Sequence, residues 1–151
     1  MITYREVRPG DLELVCRHRH EMFAASGRSE AVLAPMTEAF RAWLAPRLGS
    51  GAYFGWIAES GGAPVGGLGM MVVDWPPHPS HPAEGHRGYV LNVFVEPAQR
   101  GRGVAKALMD LATAEARRRG VTYMFLHATQ MGRPLYEQLG WEPTAELSLT
   151  L

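Results

Sequence analysis

A short run in the middle of the chain, residues 99–103 (Q-R-G-R-G), has the residue types that bind an anion. Arg100 and Arg102 carry fixed positive charge with forked donors that suit phosphate. Gly101 and Gly103 have no Cβ, so an anion can approach their backbone closely. The alternative is an Arg/Gly turn that caps a helix on a solvated face. This run is therefore a candidate phosphate site whose meaning depends on its neighbours.

The neighbouring residues predict a strand before this run and a helix after it. Residues 89–95 are almost all β-branched, aromatic or aliphatic on both parities, as in a strand covered on both faces. Pro97 ends that strand because proline cannot donate to a ladder. From Val104 onward, apolar residues recur at helical spacing. A strand, a glycine loop and a helix N-terminus together predict a phosphate site, because the first N–H groups of a helix have no intrahelical partners.

Two common nucleotide-binding patterns do not fit this loop. The Walker pattern requires Ser or Thr after its lysine, and Lys106 is followed by neither. The dinucleotide pattern requires a third glycine where Lys106 stands. Residues 100–105, R-G-R-G-V-A, resemble instead the R/Q-x-x-G-x-G/A acyl-CoA loop of the GCN5-related N-acetyltransferases.

A second segment, residues 132–141, is similar to the A-x-x-L-Y-x-x-x-G-F segment of the same family. Leu135, Tyr136, Gly140 and an aromatic residue at Trp141 match in order and spacing. The resemblance covers about residues 89–141, and the N-terminal third of the chain is only compatible with it.

The resemblance implies one acetyltransferase domain over residues 1–151. The expected fold is α/β (α+β), with a mixed, mostly antiparallel sheet of six to seven strands, a splayed central strand pair and about four helices. From the sequence pattern we expect a loop over residues 24–35 and a second helix with Thr37 as a candidate N-cap. Leu147, Leu149 and Leu151 alternate with polar residues and predict a last strand that closes the sheet.

The resemblance also implies a reaction and its site. The family transfers an acetyl group from acetyl-CoA to an amine by direct attack. The strand before the loop binds the thioester carbonyl and the pantetheine arm through its backbone, and Tyr136 lies near the CoA sulfur. The positions implied for the cofactor are Val93, Phe94, Val95, Arg100, Gly101, Arg102, Gly103, Val104, Ala105, Lys106, Thr129 and Arg133.

The sequence departs from the family pattern at two places. Thr129 stands where many relatives have an asparagine that bonds the pantetheine arm. The strand over residues 123–126 has no carboxylate, which some relatives use as the general base. Asp74, His127 and Glu96 are candidates for the base by position only, and a water chain or a neutral amine would need no side-chain base.

Composition limits the remaining possibilities. The 151 residues include 15 basic and 15 acidic side chains, so the formal net charge is zero, and nothing points to nucleic acid or a membrane as partner. The one cysteine, Cys16, excludes an intramolecular disulfide. We see no signal peptide and no apolar run of the roughly 18 residues that a membrane span needs, so we expect a cytoplasmic protein.

Residues 75–88 form a long Pro/His-rich stretch that cannot be regular. It is either a plain hairpin loop or a wall over the acceptor site. His78, His81 and His86 are too weakly arranged among prolines to predict a metal, and none is expected.

Several alternatives remain open. The fold also suits a non-catalytic acyl-CoA sensor. The presence of Tyr136 argues against a sensor, and the absence of a carboxylate on the strand over residues 123–126 argues for one. An RNA-binding role for residues 99–102 lacks the aromatic and basic face that such proteins use. The acceptor is a small-molecule or peptide amine of unknown identity, and a homodimer is possible.

Overall fold

The computed structural model describes residues 1–151 as five strands and four α-helices. In chain order they are β1 (Ile2–Glu6), α1 (Leu12–Ala25), α2 (Glu30–Ser50), β2 (Phe54–Ser60), β3 (Ala63–Asp74), β4 (His86–Val95), α3 (Val104–Arg118), β5 (Met124–Phe125) and α4 (Arg133–Gln138). Short 3-10 turns at Pro9–Asp11 and Pro97–Gln99 precede α1 and α3. No helix is long and apolar enough to cross a membrane.

The strands form one sheet in the order β1-β2-β3-β4-β5. The first four are antiparallel, and β5 is parallel to β4. The predicted fold class is therefore confirmed, with five strands in place of six or seven. The predicted splay is present as well, because β4 and β5 pair only at Gly88↔Met124 and Tyr89↔Phe125 before they separate.

Helices cover both faces of this sheet. One apolar layer joins α3 to β2, β3 and β4 and contains Leu108, Met70 and Val90. The other layer joins α1 and α2 to the opposite face, where Leu44 and the free thiol of Cys16 are buried. The central strand β4 is thus covered on both faces, which explains why its sequence is apolar on both parities.

The second helix is longer than its sequence predicted. It begins at Glu30 rather than after Pro35, so the predicted loop over residues 24–35 is wrong, and Pro35 and Pro46 both lie inside the helix. The apolar stripe explains this result, because Leu33 lies on the same buried face as Leu44 and Leu48, and its burial outweighs the hydrogen bond lost at Pro35. Thr37 does not cap the helix, and its hydroxyl lies 2.8 Å from His20 Nδ1.

The predicted last strand is absent. We call residues 142–151 the C-terminal tail. None of them belongs to a strand or takes part in a backbone–backbone hydrogen bond. The expectation failed because alternation of Leu147, Leu149 and Leu151 predicts strand geometry but does not supply a neighbouring strand.

The Pro/His-rich segment is irregular, as predicted, over residues 75–85. Arg87 holds it in place from the start of β4. Its guanidinium lies between the rings of Trp75 and Tyr123, at 4.4 and 4.5 Å, and its Nε donates to His81 Nε2 at 2.8 Å. No group of three or more His, Cys, Asp or Glu side chains is arranged to hold a metal ion.

Candidate active site

A β-bulge in β4 shapes the site. Between the pairs Gly67↔Phe94 and Gly69↔Leu91, β3 has one residue, Leu68, and β4 has two. The extra residue is Asn92, whose φ of 57° makes it the one non-glycine residue with a positive φ. Asparagine tolerates this left-handed conformation better than most residues. Bulges of this kind re-aim side chains and often lie next to active sites.

Buried hydrogen bonds hold Asn92 in this conformation. Its Nδ2 donates to the Tyr53 hydroxyl at 3.0 Å, and Arg19 Nη1 donates to its Oδ1 at 2.8 Å. Burial raises the pKa of Tyr53 and lowers the pKa of Arg19. Gly69 makes room for this arrangement, since a Cβ there would lie 1.9 Å from the Tyr53 hydroxyl. Asn92 was the one polar break in an apolar strand, which is the signal that could have predicted the bulge.

The bulge sets the direction of the next backbone groups. Glu96 N–H donates to Val65 O on β3 at 2.8 Å. Because N–H groups alternate along a strand, those of Val95 and Val93 point away from β3, toward the open edge where β5 has diverged. The Val95 carbonyl confirms this direction, since it accepts a hydrogen bond from Arg100 Nε at 3.1 Å.

Phe94 is arranged differently from its two neighbours. Its backbone pairs with Gly67 of β3, and its buried ring stacks on His18 of α1 with centroids 4.9 Å apart. Of the three strand residues named from the sequence, only Val93 and Val95 therefore present N–H groups to the open edge.

The arginine–glycine loop follows directly and ends at the first turn of α3. Gly101 and Gly103 have φ of 75° and 78°, and no protein atom lies within 4 Å of a Cβ built on either. Both glycines are therefore required by the backbone conformation. The first helical bond of α3 runs from Ala107 N–H to Gly103 O at 3.0 Å, so the N–H groups of Val104, Ala105 and Lys106 have no intrahelical partner.

The basic side chains of this loop are exposed and differ in their contacts. Arg102 donates to Gln99 Oε1 at 3.0 Å, and Lys106 pairs with Asp110 at 2.9 Å. Arg100 lies across the cleft between β4 and the segment before α4, where its Nη1 is 3.8 Å from Met131 Sδ. The loop thus presents free backbone donors with two guanidinium groups beside them.

The opposite side of the cleft contains the other three residues named from the sequence. Thr129 Oγ1 accepts from Gly132 N–H at 3.1 Å, which orders the turn into α4. Arg133 Nε donates to Glu137 Oε1 at 2.6 Å on the exposed face of α4. Tyr136 lies on the half-buried face, and burial raises its pKa to about 12.

The three candidate bases lie in different environments. Asp74 is at the far end of β3, opposite His86, and roughly seven residues of strand, about 20 Å, separate it from Val93. Glu96 accepts a hydrogen bond from Arg17 at 2.9 Å. His127, beyond the end of β5, is the candidate that faces the cleft.

His127 connects two residues that sequence reasoning did not assign to the site. Its Nε2 lies 2.6 Å from Glu146 Oε2, and its Nδ1 lies 3.4 Å from the Tyr89 hydroxyl. Because a carboxylate only accepts, Nε2 carries the proton and the Nδ1 lone pair faces Tyr89. No sequence spacing indicated this arrangement, since β4, the segment after β5 and the tail contribute one residue each.

A comparison with known families agrees with these features, namely the bulged strand, the arginine–glycine loop and the cleft toward α4. The sequence model of the acetyltransferase (GNAT) family matches residues 16–141. The chain belongs to the GNAT family. The match extends well beyond the two segments that carried the resemblance and includes most of α1 and all of α2, β2 and β3.

Solved GNAT structures resemble this chain over its whole length. A GCN5-related N-acetyltransferase from Ralstonia eutropha is 52% identical, with a TM-score of 0.99 over 100% of this chain and 99% of that one. A predicted acetyltransferase from Clostridium acetobutylicum, solved with acetyl-CoA, is 26% identical, with a TM-score of 0.90 over 99% and 96% of the two chains.

Curated GNAT relatives are longer. N-acetyltransferase 8 of Rattus norvegicus is 32% identical over 121 residues, which cover 78% of this chain and 50% of that protein. The chain spans half or less of the length of the curated relatives it matches.

The buried His18 predicts how stability depends on pH. Burial lowers its pKa to about 4 from the usual 6.5. Between these two pH values the unfolded chain therefore binds a proton at this residue and the folded protein does not. The stability contribution is complete above pH 6.5 and is lost as the pH falls toward 4. Between pH 7.5 and pH 5 we expect wild type to lose about 2 kcal/mol more unfolding free energy than His18→Gln. Urea titrations of both proteins measure this difference, and parallel losses would contradict it.

Proposed function

We propose that this chain is an acetyl-CoA-dependent N-acetyltransferase. It transfers the acetyl group by direct attack to a primary amine of a small molecule or peptide. The observation that carries the proposal is the bulge at Asn92. It points the backbone donors of Val93 and Val95 into the cleft that begins beside the arginine–glycine loop. A non-catalytic acyl-CoA sensor of the same fold is the alternative.

The loop suits the diphosphate of coenzyme A. The free N–H groups at the start of α3 and the positive end of its dipole favour an anion, and the space around Gly101 and Gly103 leaves room for one. Arg100 and Arg102 supply charge from either side. Across the cleft, Thr129 has a hydroxyl hydrogen to offer to the pantetheine arm, and Arg133 adds positive charge near it.

The strand edge suits the thioester. A Val93 N–H that points into the cleft can donate to the acyl oxygen as negative charge develops there during attack. One such donor contributes about 3 kcal/mol to lowering the barrier in other acyl-transfer sites. The amine nitrogen then bonds to the acyl carbon, the carbon–sulfur bond breaks, and coenzyme A leaves as a thiolate that acquires a proton.

Tyr136 has the properties of a hydrogen-bond donor to that thiolate. With a pKa of about 12, its phenol stays neutral at physiological pH. Full proton transfer to a thiolate, whose conjugate acid has a pKa of about 8.5, would be uphill by about 5 kcal/mol. Tyr136 therefore stabilises the departing sulfur without becoming ionised, and the proton that the amine releases on acylation neutralises the thiolate.

His127 is the base that we propose for the amine. Its Nδ1 lone pair faces the Tyr89 hydroxyl at 3.4 Å, and Glu146 orients the ring by accepting a hydrogen bond from Nε2. This carboxylate–imidazole pair orients and supports a base as in other enzymes.

A homodimer and a cytoplasmic location are also part of the proposal. The cytoplasmic location fits a chain whose single cysteine is buried and unpaired.

Reversing charge at the loop should abolish cofactor binding. Arg100→Glu with Arg102→Glu replaces two phosphate donors by two repelling carboxylates, so we expect at least a hundredfold weaker coenzyme A binding by calorimetry. Arg117→Glu is the matched control, because it lies thirteen residues along α3 from Val104, about 20 Å from the loop. Equal affinities in all three proteins would disprove the phosphate site.

Removing the Tyr136 hydroxyl should slow turnover without unfolding the protein. Tyr136→Phe deletes one donor to the developing thiolate, and we expect kcat to fall ten- to a thousandfold while the acetyl-CoA KM and the melting temperature change little. Thiol release measured over a panel of amines gives the rates. Wild-type protein that binds acetyl-CoA but releases no thiol with any amine would favour the sensor alternative.

Replacing His127 should slow acetyl transfer. His127→Gln removes the imidazole nitrogen that would accept the amine proton, so we expect kcat/KM to fall about a hundredfold while the acetyl-CoA KM changes little. Asp74→Asn, at the far end of β3, should keep the wild-type rate. A His127→Gln enzyme that retains the wild-type rate would exclude His127 as the base.

A further inference from the structure

One guanidinium beside the bulge has no carboxylate to neutralise its charge. Arg19 of α1 donates from Nη1 to Asn92 Oδ1 at 2.8 Å, which is its one hydrogen bond to the protein. Its Nε is buried without a partner, and its Nη2 is also unpartnered but is not buried. Arg17, two residues earlier, pairs with Glu21 and Glu96 instead. Arg19 therefore keeps donors free for a group that the chain itself does not supply.

The surroundings of Arg19 make its charge costly. The guanidinium lies over the rings of Phe40 and Phe23, with 4.7 and 5.1 Å from its carbon to the ring centroids. Burial lowers the pKa of Arg19, yet an arginine stays charged in a protein. Two aromatic rings and one amide oxygen offset only part of the cost of removing a charge from water. A negatively charged group of a ligand would offset the remainder.

Arg19 is also close to the groups that we propose for the reaction. Asn92, to which it donates, directly precedes Val93, the donor proposed for the acyl oxygen. Burial raises the pKa of the Tyr89 hydroxyl and the positive charge of Arg19 opposes that rise, so the two groups are neighbours. The same hydroxyl lies 3.4 Å from His127 Nδ1. Tyr89 is therefore beside both the proposed base and the free guanidinium.

Aromatic rings continue from Tyr89 across the same face of the sheet. Tyr89 packs against the apolar layer of α1 and α2, and the Phe125 ring stacks on it with centroids 4.7 Å apart. The Trp75 ring lies 5.6 Å from that of Phe125, and Trp75 is 36% exposed. Such a surface suits an apolar side chain of a ligand, which would bury its area against the rings. A group that binds a carboxylate and an apolar surface thus lie side by side.

We propose that the acceptor is an amino acid with a large apolar side chain and that Arg19 binds its carboxylate. The inference rests on the proposed function and narrows its acceptor. The amino group faces His127, the carboxylate faces Arg19, and the side chain packs on Tyr89 and Phe125. The nitrogen–acyl bond forms and the carbon–sulfur bond breaks as before, while the carboxylate takes no part in the reaction.

The first experiment compares phenylalanine with phenylalaninamide as acceptors for wild type, with thiol release as the measure. The two amines have nearly the same shape and differ in the negative charge. The amide has the more acidic ammonium group and hence the larger neutral fraction, so the nucleophile itself favours the amide. We expect kcat/KM to be about a hundredfold higher for phenylalanine, because its carboxylate pairs with a partly buried guanidinium. Serine, which lacks the apolar side chain, should be about tenfold poorer than phenylalanine.

Substitution of Arg19 tests whether it is the source of this preference. In Arg19→Gln we expect the ratio of kcat/KM for phenylalanine to that for phenylalaninamide to fall to about one. Disturbance of the bulge lowers both rates as well, but a purely structural role would lower them equally and leave the ratio unchanged. Arg19→Lys keeps the charge without the fork and should retain a ratio of about ten. Arg117→Gln, at the C-terminal end of α3, is the matched control and should keep the wild-type ratio.

Calorimetry of amine binding in the presence of coenzyme A separates this inference from the proposed activity. Tighter binding of phenylalanine than of its amide, lost in Arg19→Gln, supports the Arg19 site even if no amine releases thiol, and only the acetyltransferase proposal then fails. The inference is overturned if wild type neither binds nor acetylates phenylalanine in preference to phenylalaninamide, or if Arg19→Gln retains that preference. Acetylation of other amines without such a preference leaves the proposed function intact and removes this acceptor class. An equal rate with serine would contradict the requirement for an apolar side chain.

Discussion

One extra residue in β4 determines the geometry of the rest of the site. Asn92 has no counterpart on β3, and its left-handed backbone shifts the alternation of every residue that follows. The donors of Val93 and Val95 therefore face the widening gap between β4 and β5. The conformation persists because the side chain is bonded on both sides, to Tyr53 and to Arg19, in a region where an unpaired polar group would be costly.

The two apolar layers make that local strain possible. Helix α3 packs on one face of β4 and α1 with α2 on the other, so the bulge is held between rigid elements. The same packing of α3 fixes the direction of its N-terminus, where the glycine loop leaves three backbone donors free. The backbone donors proposed for a phosphate and for an acyl oxygen thus lie at the two ends of one short connection, residues 96–103.

The sequence was most informative where local chemistry decides the structure. Strand β4, the loop with Gly101 and Gly103 and the start of α3 follow from residue type and spacing. The extent of α2 did not, because a buried face outweighed Pro35. The tail was wrongly predicted to be a strand because alternating apolar residues indicate strand geometry but do not supply a strand with which to pair. The cluster around His127 was beyond sequence reasoning, since three segments distant in the chain meet there.

The long loop after β3 is held by contacts of another kind. Arg87 meets two aromatic rings and a histidine nitrogen, and no carboxylate takes part. Ion pairs on the surface of α1 and α3, such as the one between Lys106 and Asp110, weaken as dissolved ions screen them. A buried cation between ring faces is shielded from that screening. A high salt concentration should therefore weaken the ion pairs on the surfaces of α1 and α3 while leaving the position of residues 75–85 unchanged.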